Sequence, residues 1–369
     1  MQEYRLRNHI PIGAPARREP FVGDEPDLRV SLGFSPSWFN ERLGIDFSEQ
    51  WHLDPAYRYG TLLEMKQELH RAFPMLPYFR VSMEDGIERT CATLSGVHGI
   101  MLIPMLYGVE PLYRANRWPD AGGRMYIEKA QLEHLKPFDL QAHPVIAQLL
   151  EQMDIIEERW GQIQGYLNYQ GVLNVAVKVR GDELFLDMYD DPDFAHFFFD
   201  HIARTIEEVS KLVQERQRSS GFYVNQLSMS NCVINMISPR QYEEFILPHD
   251  LRLSEEYERF GIHTCNWDAT PYVDALRQIV KMGYLDTGMM ADLKRIKEMF
   301  PDARRAVLYS PVELETKALA EIRADVERIA TEYAPCDIVM ADVESTTPDS
   351  RILDFLRIVE ETEASVEIS

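Results

Sequence analysis

From residue 172 onward the chain alternates short apolar runs with helical segments, and this alternation constrains the fold more than any other feature. Val172 to Val179 reads as a buried strand and is followed by Arg180-Gly181. Pro192 then opens a helix with Phe194, Phe197, Phe198, Ile202 and Ile206 on one side. Further strands are expected at Phe222 to Leu227, Phe260 to Ile262, Tyr284 to Thr287, Ala306 to Tyr309 and Asp337 to Val343. Between and after them, helix starts are marked by Ser238-Pro239, Thr270-Pro271, Asp292, Ser310-Pro311 and Thr347-Pro348. Val273, Leu276 and Val280 carry the helix that Thr270 caps, and Gly283 is expected to close it. Six strand–helix units in series require parallel strands joined by crossover helices. One or two strands from the first half, Asp27 to Leu32 among them, bring the count close to eight. The fold class is therefore α/β, a (β/α)8 TIM barrel, with an open doubly wound sheet as the alternative.

The first half is less regular. Helical spacing marks Arg58 to Phe73 and Pro144 to Tyr166, the latter with Ile146, Leu149, Leu150, Met153 and Ile156. Pro104 makes Val97 to Leu106 a strand or a broken helix, and Gly108 to Gly123 reads as a solvated loop carrying Arg114, Arg117 and Trp118. Residues 1–60, with Trp38, Trp51 and Tyr57, read as an aromatic arm covering the barrel, which leaves 61–369 as the catalytic domain. A hydrophobic content of 45% supports a sizeable core. The net charge of -22 weighs against nucleic-acid and anionic-membrane partners. With no apolar signal core and no apolar stretch of about 18 residues, a soluble, cytoplasmic protein is expected. Cys91, Cys232, Cys265 and Cys336 lie far apart and make no disulfide framework.

In either architecture a site forms at the carboxyl edge of the strands. Arg180, Ser228, Asn231, His263, Cys265, Asp292, Ser310, Asp342 and Glu344 belong to that edge, and no Gly-x-Gly-x-x-Gly or Walker sequence competes with it. His263-Thr264-Cys265 ends a strand, where residues two apart share a face, and imidazole with thiolate suits zinc. A core histidine beside a buried free cysteine is the plainer reading of the same residues. Tyr223, Asn225, Ser228 and Asn231 are candidate pocket-lining residues, and Asn266 and Asp268 candidate partners of the metal ligands, with turn roles as the alternative.

From about residue 15 to the end, the chain resembles the uroporphyrinogen decarboxylase superfamily of (β/α)8 barrels. The matching pieces are Arg17-Arg18-Glu19-Pro20, Val175-Ala176-Val177-Lys178-Val179-Arg180-Gly181 with Asp191-Pro192, and Thr347-Pro348. The most specific is Ile237-Ser238-Pro239-Arg240-Gln241-Tyr242-Glu243-Glu244-Phe245-Ile246-Leu247-Pro248. His263-Thr264-Cys265-Asn266 is similar to the His-x-Cys of the branch of corrinoid-dependent methyltransferases, while the arginine-rich start of the true decarboxylases is missing. In that branch a third cysteine precedes the Thr-Pro segment; here the position falls near Ala341. The resemblance thus implies zinc on His263 and Cys265 with Glu344, or alternatively Asp342, as third ligand, and Cys336 at the opposite end of the barrel. It implies a zinc-dependent methyltransferase moving a methyl group between a small methylated substrate, such as a methyl ether or thioether, and the corrinoid (cobalamin) of a partner protein. A carboxylate ligand in place of a cysteinate favours a methoxy donor. Arg180, Tyr223, Asn225, Ser228, Asn231, Asp292 and Ser310 are then expected to face the substrate. A metal-free decarboxylase using Arg180 to hold substrate carboxylates, and an inactive small-molecule-binding barrel, are the alternatives. A homodimer is left open.

Overall fold

Among the described residues the chain forms nine strands, each held by the backbone pairing of its neighbours: β1 (Leu28–Phe34), β2 (Pro111–Arg114), β3 (Arg117–Ala121), β4 (Tyr169–Gln170), β5 (Gln226–Ser230), β6 (Arg259–His263), β7 (Met282–Gly288), β8 (Arg304–Leu308) and β9 (Cys336–Val343). The computed structural model describes residues 26–366 apart from 77–78, 85, 89–90 and 122–125. Arg17 to Pro20 and the start of the expected arm lie outside the described residues. Seven strands make one sheet in the order β1-β9-β8-β7-β6-β5-β4, and every pairing in it is parallel. β2 and β3 form a separate antiparallel hairpin where a solvated loop was expected.

β1 and β4 are the two edges, and no pairing joins them among the described residues. The chain is thus mixed α/β with a parallel seven-stranded sheet, short of the closed eight-stranded barrel that the alternation implied. Two segments account for the difference. Val172–Arg180 is a helix, not a strand: its apolar run is buried nearly all round, which periodicity alone cannot distinguish from a strand. Gly171 caps its start and Gly181, at φ 70°, ends it. Val97 to Leu106 makes turns and then the short helix Leu102–Leu106. The preceding turn lies against the chain entering β4, with Leu94 N–H donating to Gln164 O (3.0 Å) and Tyr166 N–H to Ser95 Oγ (2.9 Å).

Elsewhere the alternation is realised. Helices Pro144–Trp160, Pro192–Ser219, Leu293–Met299, Leu319–Glu332 and Asp349–Val366 stand where the periodic segments place them. Gly283 does not close a helix; the helix Val273–Leu276 is short and Gly283 lies inside β7. The strand expected at Phe222 to Leu227 is shifted toward the carboxyl end, to β5. β1 is an integral strand beside β9, and a boundary at residue 60 falls inside the helix Pro55–Ala72. Trp38 and Trp51 are fully buried, Trp38 against Phe34 (ring centroids 4.6 Å) and Trp51 against Trp118 (5.9 Å). No helix among the described residues is long and apolar enough to cross a membrane.

At the amino end of the sheet, Asp337 pairs with Arg29 (2.7 Å) and Arg304 (2.6 Å), all three buried. Cys336, opposite Leu28 in the register, is buried beside them, at the far end from β6's carboxyl terminus.

Candidate metal centre

β5 and β6 are neighbours with Ser230 opposite His263, and Asn231 N–H donates to His263 O (2.8 Å) one step beyond the ladder. Asn231 holds that exit: its Nδ2 donates to Asp250 (3.2 Å), which also accepts from Tyr242 Oη (2.8 Å). It also fills the space beside Gly171, where a Cβ would come within 1.6 Å of Asn231 Oδ1. Cys232 is the next residue. It therefore leaves the sheet beside His263.

Across from it, the chain turns sharply after β6. Cys265 adopts φ 61°, the left-handed region that a non-glycine residue enters only when its surroundings hold it there. The turn brings Cys265 Sγ to 3.1 Å from His263 Nε2 and 2.7 Å from Cys232 Sγ. The donor atoms of Cys232, His263 and Cys265 all lie within 4.8 Å of one another. The expected closeness of His263 and Cys265 is found, but a left-handed turn produces it instead of the alternating faces of a strand.

Asp286 of β7, fully buried, orients the histidine. Its Oδ2 is 2.6 Å from His263 Nδ1 and accepts from Tyr284 Oη (2.8 Å). Its Oδ1 accepts from Thr264 N–H (2.6 Å), pinning the turn as well. With Nδ1 committed to the carboxylate, Nε2 faces the two sulfurs.

Electrostatics favour a cation here. Burial disfavours a charged ring, but Asp286 and then Cys232 outweigh it and push the His263 pKa up to about 10. The hydrogen bond from Cys265, against burial and with help from His263, brings the Cys232 thiol down to about 5. Cys265 is pushed the other way, first by that same hydrogen bond to Cys232 and then by burial. A thiolate, a thiol and an imidazolium thus share the cluster. A divalent cation would displace the two remaining protons and be held by two thiolates and a neutral imidazole, a donor set that fits zinc.

Glu344 is not gathered with these donors. It accepts from Ser35 Oγ (3.0 Å) and Ser37 Oγ across the β1–β9 seam. Asp342, at φ 54°, stays near enough to help raise the Cys265 thiol. Its own carboxyl is raised by burial and by Glu344 against the pull of His263. The Asp342 side chain is open to water. The place expected for a carboxylate is taken by Cys232, because β5 abuts β6 whereas β9 is separated from it by two strands.

The other expected pocket residues are dispersed. Arg180 is buried and paired with Asp187 (2.8 Å). Tyr223 and Asn225 precede β5 and so sit at its amino end, bonded to Glu258. Ser228 is buried inside β5 and accepts from Gln226 Nε2 (3.0 Å). Asp292 caps the helix Leu293–Met299 and Ser310 the helix Pro311–Thr316, both at the carboxyl edge but turned to their own helices. Asp268 accepts from Thr270 N–H (2.9 Å), a turn role. Asp286 and Cys232 are the residues of this cluster that the sequence reading passed over. The available signals were a carboxylate inside an otherwise buried strand and a cysteine directly after a polar strand end.

No protein-family model matches the chain, and no curated protein matches it. Among solved structures it is similar to a methyltransferase from Methanosarcina mazei, with a TM-score of 0.62 and 15% identity over 92% of this chain and 95% of that one. At that identity the likeness is one of fold.

Proposed function

We propose that the chain is a zinc-dependent methyltransferase on a barrel-like fold, moving a methyl group between a small methylated substrate and the corrinoid of a partner protein. The observation that carries this reading is the convergence of Cys232, His263 and Cys265 at the carboxyl edge of the sheet, in a chain whose fold is that of a methyltransferase. Cys232, His263 and Cys265 would hold the metal; Asp286 would fix the imidazole and Asn231 the strand exit that carries Cys232. Zinc in such a set supplies a Lewis acid with a position left for a substrate oxygen or sulfur. Two sulfur ligands make a softer centre than the carboxylate set implied by the sequence, so the preference for methoxy over thioether donors lapses.

The chain's own part is to orient the substrate and exclude competing water. Asp342 lies within range of the charges of Cys265 and His263 and would be placed to exchange a proton with the heteroatom that gains or loses the methyl group. Met236, Met290 and Val312 are exposed, each in a segment that follows a strand at this edge (β5, β7 and β8). Arg180, on which the decarboxylase alternative relied, is occupied by Asp187.

The test is to incubate zinc-loaded protein with reduced free corrinoid and 13C-methyl ethers or thioethers, and to detect methylated corrinoid. Zinc-dependent labelling that Cys265→Ala abolishes is the expected result. No labelling from any such donor, or labelling unchanged in Cys265→Ala, contradicts the proposal.

A further inference from the structure

Lys178 stands apart from the other cations around the site. It lies on the helix Val172–Arg180, four residues after Asn174 and hence on the same face. Asn174 touches the segment that carries Cys232, its Oδ1 accepting from Val233 N–H (3.1 Å). One turn further on, Lys178 lies within range of the charges of Asp120, from β3, and of Cys232. Neither is an ion-pair partner. Asp120 is held by Arg114 (3.0 Å), and among the described residues no carboxylate lies within ion-pair distance of Lys178. The side chain is half-buried, and burial lowers its pKa against the pull of Asp120 and Cys232.

An ammonium in that position is costly unless something compensates it. Buried lysines of structural type satisfy themselves, as Lys66 does with Glu88 at 3.9 Å. Lys178 instead has no carboxylate partner among the described residues, on the helix face whose Asn174 binds the segment of Cys232. Two residues later, Arg180 has its own in Asp187.

Resting on the methyl-transfer reading above, we propose that the methyl-bearing substrate is an anion, a carboxylate or similar oxyanion, whose charge Lys178 binds while its methylated oxygen or sulfur faces Cys232, His263 and Cys265. A charge-assisted hydrogen bond from an ammonium to a carboxylate is one of the stronger polar contacts available to a small ligand. It would set both affinity and the direction in which the substrate enters.

The probes are 3-methoxypropionate and 3-(methylthio)propionate, each beside its uncharged primary amide, titrated calorimetrically into the zinc-loaded full chain. The acids are expected to bind about tenfold or more tightly than the amides. K178M should remove that preference, and K178R should keep part of it. K178Q serves as a second neutral variant should K178M fold poorly. Equal binding of acid and amide, binding of neither, or an acid preference unchanged in K178M and K178Q overturns the proposal. A preference that survives those variants but vanishes on removing zinc places the carboxylate on the metal, and overturns it too. A chain that binds no zinc defeats the methyl-transfer reading, whereas a Lys178-dependent acid preference in that same preparation still assigns the anion site.

Discussion

Two polar clusters occupy opposite ends of one parallel sheet, and they resolve their charge in different ways. At the amino end, Asp337 is enclosed by Arg29 and Arg304, and the adjacent Cys336 is buried with its thiol pushed up by burial. The charge of Asp337 is matched within the chain. At the carboxyl end, Cys232, His263 and Cys265 point at one another, and two nearby residues, Cys265 and Asp342, hold left-handed backbone. The second cluster is a donor set that a cation would complete. Polar burial alone therefore does not mark a site; convergence of donors on strained backbone does.

The largest effect that sharpens this contrast is expected at the amino end. Asp337→Ala removes the carboxylate shared by two buried guanidiniums and should cost about 3–5 kcal/mol, read from urea unfolding, while folded protein retains its metal. Loss of metal without loss of stability would reverse the roles of the two ends.

A second difference is titratable. Burial raises Asp250 to about 7, against the hydrogen bonds from Tyr242 and Asn231. The folded chain keeps a proton that the unfolded chain releases near pH 4. The stability from this group is thus full below about pH 4 and is lost as the pH rises toward 7, on the order of a few kcal/mol. Asp250→Asn should flatten that part of the stability curve; an unchanged slope would show that Asp250 is ionised throughout.

The contrast also shows where sequence reasoning succeeds and fails. The alternation after residue 172 foretold most of the parallel sheet, because crossover helices leave strands little choice of direction. It failed at Val172–Arg180, since an apolar run buried on all sides has no period to read. His263 and Cys265 were legible because they are neighbours in sequence. Cys232 was not: it lies 33 positions from Cys265 and joins the cluster only through the pairing of β5 with β6. Glu344 looked eligible because it ends a strand, but position at an edge does not fix direction, and its carboxylate turns to Ser35 and Ser37.

Smaller effects follow at the mouth. Asp286→Asn keeps the shape but weakens the hold on Nδ1, so zinc affinity should fall about 10–100-fold in competition with a chromogenic chelator. An unchanged affinity would mean that Asp286 only supports the turn at Thr264. Glu344→Ala should alter stability by about 1 kcal/mol or less, as for other partly exposed hydrogen bonds, and zinc content not at all.

The most direct measurement is elemental analysis of protein purified without chelators, with Cys232→Ala and Glu344→Ala beside the parent chain. About one zinc per chain in the parent and in Glu344→Ala, and a loss of most of it in Cys232→Ala, is the predicted result. Full zinc in Cys232→Ala, or zinc lost only in Glu344→Ala, would contradict the assignment of Cys232, His263 and Cys265 as the metal centre.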